Sequence, residues 1–202
     1  MRNDAQVSSS SSESLFLADF EQEATRCREQ GGGLSEFLRL HDVVRLQWPT
    51  DVVEQWLYDH AGNQSFKTDY GHVDLTQIDW HVEALSVELL LEMPTGPSDG
   101  DLLEEIAQNP EHWISVRSHG VHMGVAQMWD VHGTWKRWPL VLDRSVLSPN
   151  SQGLQLVEGR TRLGIMRGWR RQGNFVAERH LIWIGRPGQD TRIENRICEC
   201  RE

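Results

Sequence analysis

The chain has 202 residues, 38% of them hydrophobic, and a formal net charge of −10. That length suits one domain with elaboration. No apolar run approaches the ~18 residues of a membrane span, and so acidic a balance argues against general affinity for nucleic acid.

Residues 1–14 are polar and serine-rich, lack the apolar stretch of a secretory signal, and are expected to form a disordered tail. The spacing of Leu17, Phe20 and Ala24 predicts a helix over Leu15–Gln30, stopped by Gly31-Gly32-Gly33, the best hinge in the sequence. A short helical piece, Leu34–Leu40, leads to Val43–Trp48 and Pro49. Thr50-Asp51 followed by Glu54 reads as a helix start, with Val52, Val53, Trp56 and Leu57 as the inner face. Asn63–Tyr70 reads as a loop, Val73–Trp80 as a strand, and Val82–Met93 as a helix ended by Pro94-Thr95-Gly96-Pro97. Ser98, with Asp101 three residues on, predicts a capped helix over Asp101–Gln108. Trp113–Val116 reads as a short strand, and His119–Val131 fits neither period.

From Trp138 the pattern is cleaner. Pro139-Leu140-Val141-Leu142 predicts a strand that opens on proline, where no ladder hydrogen bond is lost. A loop over Asp143–Gly153 leads to a second strand, Leu154–Val157. Gly159 then turns the chain into a basic helix over Arg160–Arg171. Gly173-Asn174 turns it again, and His180–Ile184 is a third strand. A strand that delivers a glycine to a helix N-terminus is a common way to hold a phosphate. The glycine lets the backbone approach, the first amides point outward unpaired, and the helix dipole adds positive charge. Arginine supplies a planar fork for two oxygens.

The charges are not evenly spread. Asp51 to Glu111 is rich in carboxylates with one base, Lys67. In Lys136 to Arg171, eight bases face only Asp143 and Glu158. Either the halves shield each other within the fold, or the basic half is an anion-binding face. Arg167, Arg170 and Arg171 read as a solvated helix face. Trp135, Lys136, Arg137, Trp138, Trp169 and Arg170 interleave bases with aromatics as a nucleic-acid track would, but tryptophan at such spacing is more often core. His112, His119, His122 and His132 with Asp130 form the one possible metal cluster. The step from His119 to His122 begins at a glycine and suits a metal poorly, so no metal site is assigned. Cys27, Cys198 and Cys200 have neither metal spacing nor the two-residue gap of a redox pair, and a reducing, cytoplasmic location is expected.

The order of proline-led strand, loop, strand, Gly-x-x-Arg, helix, glycine, strand resembles the ParB/sulfiredoxin superfamily. The match rests on Leu156-Val157-Glu158-Gly159-Arg160-Thr161-Arg162-Leu163 with both flanking strands, and covers about Lys136–Gly185. It implies an α/β (α+β) fold, a small mixed sheet with packed helices. A single domain is expected over 15–202, with its recognisable core at about 136–185 and helical elaboration over 15–110. The resemblance further implies a site for the phosphates of ATP or CTP, with Mg2+ where hydrolysis occurs. Gly159 would be the turn beside the phosphates and Arg162 the charge on them, with Arg160, Thr161 and the backbone amides as further donors. Glu158 would position metal or water, which makes Glu158 and Arg162 the candidate catalytic pair. Two departures stand out. Arg160 occupies the position of the sulfiredoxin cysteine, which excludes sulfinic-acid repair, and of the partition proteins' glutamate. The length is similar to that of the plasmid fertility-inhibition (Osa/FiwA-like) branch, which implies ATPase and nuclease activity that blocks conjugative transfer. The alternative is a non-catalytic interaction protein that docks a conjugation or secretion component through its acidic half.

Overall fold

The computed structural model describes residues 13–116 and 122–188. His119, Cys198, Cys200 and nearly all of the expected N-terminal tail lie outside the described residues. The fold is mixed α+β. Helices α1 (Leu17–Glu29), α2 (Gly33–Phe37), α3 (His41–Leu46) and α4 (Thr50–Val53) come first, and α4 continues as a π-helical turn, Glu54–Tyr58. Then follow α5 (Gln64–Tyr70), β1 (Ile78–Ser86), α6 (Val87–Leu91), α7 (Leu102–Gln108), α8 (Pro110–Ser115) and α9 (Val125–His132). The last third holds β2 (Leu140–Asp143), α10 (Arg144–Leu147), β3 (Leu154–Glu158), α11 (Arg160–Gln172) and β4 (Arg179–Pro187).

The strands form one sheet in the order β1-β4-β2-β3, with β4 and β2 parallel and the outer pairs antiparallel. Both faces are covered over most of their area, so the central strands are apolar without alternation. Leu140, Leu142 and Val157 point to one side, into a core built by α1–α5 around Trp56, Trp48, Phe66 and Tyr70. Val141, Leu156, Ile182 and Ile184 point to the other, where α6–α9 and α11 bring Leu90, Ile106, Trp129, Ile165 and Met166. The inner face expected for the helix at Thr50 is present: Val52, Val53, Trp56 and Leu57 are all buried. Strands β2, β3 and β4, the bend at Gly159 and helix α11 also fall where the sequence places them.

Five expectations are corrected. Asn63–Tyr70 is a helix, not a loop: the Asn63 side chain accepts from the Phe66 N–H (3.0 Å), and Phe66 and Tyr70, four apart, turn inward. Val82–Ser86 belongs to β1, because pairing with β4 outweighs the helix propensity of Glu83, Ala84 and Leu85. Only Val87–Leu91 is helical there, capped by Ser86. Strand β1 starts at Ile78 instead of Val73, since Asp74 caps a 3-10 turn over Leu75–Gln77. Trp113–Val116 is no strand; Pro110 opens α8 across it, at the position where its missing N–H costs nothing. Asp143–Gly153 is not all loop, because Asp143 caps α10 by accepting from the Ser145 N–H (3.0 Å).

Candidate functional site

The bend at Gly159 has φ +113° and ψ 17°, a conformation that glycine alone adopts without cost, and Gly159 is buried. A Cβ there would lie 2.6 Å from the Cβ of Pro139, so the proline that opens β2 covers the bend. Helix α11 runs from this point for 13 residues to Gly173, where a second left-handed glycine ends it.

Arg160 and Arg162, expected as phosphate ligands, are both engaged within the chain. Arg162 donates from Nη1 to the carbonyls of Arg137 (3.0 Å) and Trp138 (3.4 Å), and from Nη2 to the carboxylate of Glu158. The i,i+4 spacing of Glu158 and Arg162 spans the bend, so the two candidate catalytic groups meet as an ion pair. Arg160 bonds Asp99 at 2.6 Å, and that carboxylate is only 5% exposed. Asp99 ends a 3-10 turn, Pro97–Asp99, which is anchored where the Ser98 N–H and hydroxyl donate to Asp69. Ser98 is therefore not the cap expected for α7. Thr161 is half-buried.

A second layer of charge backs this corner. Arg137 donates to Asp51 (2.6 Å) and Glu54 (2.5 Å). The same Asp51 carboxylate accepts from the Gln55 amide (3.1 Å) and the Trp183 indole (3.0 Å), while Gln55 also donates to the Trp138 carbonyl (3.1 Å). Asp51 and Glu54, legible in the sequence only as a helix start, thus tie α4 and its π-helical turn to β4 and to the entry of β2. A π-helical turn is frequent at functional sites. Burial pushes the imidazole of His60 down to about 4, with Arg160, Arg28 and Arg162 adding in the same direction, so it is neutral near pH 7. Its ring stacks on Phe66 at 4.8 Å. Burial raises the carboxyl of Asp59, helped by Glu54.

Further along α11, Arg167 donates to the Met93 carbonyl (2.9 Å), and burial lowers its pKa. Arg171 grips Glu104 with both of its Nη atoms. The two halves of opposite charge therefore pair in part, through Arg137, Arg160 and Arg171, while other carboxylates of the acidic half stay exposed. Trp135 and Trp169 are buried in the core and Trp138 packs at a tilt against Trp183, ring centroids 5.5 Å apart, so these rings do not form an open track for bases. Two open hollows, of about 540 and 350 Å³, flank α11 near Ser86, Phe175 and Arg170, and near Glu92, Arg167 and Arg171; residues 158–162 line neither. Among the described residues no group of histidine, cysteine and carboxylate side chains is arranged to hold a metal, and no helix is long and apolar enough to cross a membrane.

Sequence reasoning missed the partners of the corner: Asp51, Glu54, Asp99, Arg137 and His60. The one signal that pointed to them was the charge asymmetry itself, which says that the halves pair without saying which residues meet. The chain matches no family model, no curated protein and no solved structure.

Proposed function

We propose that this chain is a non-catalytic interaction protein, in which the Gly-x-x-Arg corner serves as an internal clamp and the acidic half docks a basic partner. One observation carries the reading: the guanidinium of Arg162 is spent on Glu158 and two carbonyls, beside a glycine bend covered by Pro139. An incoming phosphate would have to displace a carboxylate already in place and would gain little beyond the pair it breaks. Glu158 has the same difficulty as a base or metal ligand, since its Oε2 already accepts from Arg162. The docking surface is supported by exposed Glu88, Glu92, Asp101, Glu105 and Glu111, carried on or beside α6, α7 and α8, each of which packs on α11. The resemblance suggests a component of a conjugation or secretion machine as the partner class.

A second reading, binding of ATP or CTP phosphates with Mg2+-dependent hydrolysis of the nucleotide or of DNA, is favoured by the positive field of Arg28, Arg160 and Arg162 at His60. Calorimetric titration with ATP and CTP in Mg2+ separates the two. The interaction reading expects no saturable binding and no turnover of nucleotide or supercoiled DNA, in wild type or in Arg162→Ala. Saturable binding to the wild type that Arg162→Ala abolishes would overturn it and establish the second reading.

A further inference from the structure

Strands β1 and β3 are the two edges of the sheet, and they are treated differently. On the outer side of β3, the Leu156 N–H donates to the Pro94 carbonyl (2.8 Å) and the Leu156 carbonyl accepts from the Tyr70 hydroxyl (3.3 Å). Among the described residues no second strand pairs the outer side of β1 and no backbone hydrogen bond reaches Trp80, Val82 or Ala84 from that side; a guanidinium of Arg179 reaches the Ala84 carbonyl at 2.5 Å. Which groups face outward follows from the ladder. Gly188 N–H to Gln77 carbonyl (2.7 Å) and Val87 N–H to Glu178 carbonyl (2.9 Å) bracket the β1–β4 pairing at odd positions of β1. Antiparallel ladders alternate, so odd residues bond β4 and even ones, Trp80, Val82 and Ala84, direct N–H and C=O to the open edge.

The side chains along this edge are self-complementary. One face offers Trp80, Val82 and Ala84 beside Leu181 and Trp183, with Val82 40% and Leu181 43% exposed. The other offers Asp79, His81 and Glu83, the last bonded to Arg186 (2.7 Å). We propose that the β1 edge pairs antiparallel with the β1 edge of a second copy about a two-fold axis at Val82, which would join four strands from each copy into one sheet. In that register the whole of β1 is paired. Val82 meets Val82, Trp80 meets the small Ala84, and His81 lies opposite the second copy's Glu83, twice by symmetry. Moving the axis to His81 sets imidazole against imidazole and Asp79 against Glu83; moving it to Glu83 sets carboxylate against carboxylate. Charge therefore rules out both of those registers, full-length pairing of β1 singles out the axis at Val82 over one at Trp80 or Ala84, and the exposed Val82 side chains of the two copies come together on the apolar face. An edge strand of nine residues that no other described strand pairs is otherwise a template for uncontrolled association.

Analytical ultracentrifugation of the full chain tests this. The expected result is a reversible monomer–dimer equilibrium with a Kd of roughly micromolar order. Val82→Pro removes only an outward N–H and is expected to weaken the dimer at least about tenfold, since a proline on an edge strand costs no bond inside the monomer. His81→Glu is expected to weaken it by about the same factor through repulsion by the second copy's Glu83, and His81→Lys to leave it as tight or tighter. Because His81 is exposed, its variants decide the matter even if Val82→Pro fails to fold. A wild type that stays monomeric up to about 1 mM, or a dimer that both Val82→Pro and His81→Glu leave unchanged, would overturn the proposal.

Discussion

Replacing Gly159 by alanine measures how tightly the corner is closed. Two costs add. At φ +113° an L-residue is strained by about 1–2 kcal/mol. The new Cβ would also sit 2.6 Å from the Cβ of Pro139, where carbon atoms prefer roughly 3.5–4.0 Å. Proline cannot rotate away, and its carbonyl is held by the Trp183 N–H at 3.0 Å, so relief requires the entry of β2 to move. Overpacking of that kind adds about 1–3 kcal/mol, giving roughly 2–5 kcal/mol in all, or about 5–15 °C in Tm for a chain of this length. Gly153→Ala is the internal control: Gly153 also has positive φ (+88°), but nothing lies within 4 Å of its added Cβ, so it reports the backbone cost alone. Urea unfolding followed by circular dichroism gives both values. If Gly159→Ala costs no more than Gly153→Ala within about 0.5 kcal/mol, Pro139 does not seal the bend and the argument for a closed corner fails.

Stability should also fall on acidification through the histidine range. Burial holds His60 and His180 near 4 in the fold, against about 6.5 when unfolded, so between those values the unfolded chain takes up protons that the folded chain refuses. The stability lost between about pH 6.5 and 4 is up to about 3 kcal/mol for each imidazole, levelling off below. Urea midpoints across that range test it, and a His60→Gln/His180→Asn double variant with an undiminished slope would contradict it. Trp56→Ala should cost about 3–5 kcal/mol, because Trp56 is fully buried with Trp48, Trp80, Phe66 and Tyr70 at 5.5–5.9 Å; a loss below about 1 kcal/mol by the same assay would mean that this half of the core is not packed as described.

The pattern of apolar residues was enough to place β2, β3, β4 and α11, but not the short α10 between β2 and β3. Strands β2, β3 and β4 are short apolar runs bounded by proline or glycine, and α11 lies between two glycines, so local signals and final structure agree. The same signals misled where pairing partners were distant. Val82–Ser86 carries good helix formers, yet β4, about a hundred residues later, claims it as a strand. Asn63–Tyr70 looked polar because only two of its side chains, Phe66 and Tyr70, turn inward.

The corner at Gly159 divides in the same way. Its sequence determined a glycine bend, an arginine-rich helix start and a Glu158–Arg162 spacing that allows pairing, all within five residues. Whether those guanidiniums face a ligand or the protein was decided by Pro139, Asp51, Glu54, Asp99 and Arg137, brought there by the sheet and by the 3-10 turn before α7. A local motif specifies which donors exist, since that depends on residue type and backbone conformation. Which acceptors they meet depends on segments up to about a hundred residues away, and only the packed chain sets that distance to hydrogen-bonding range.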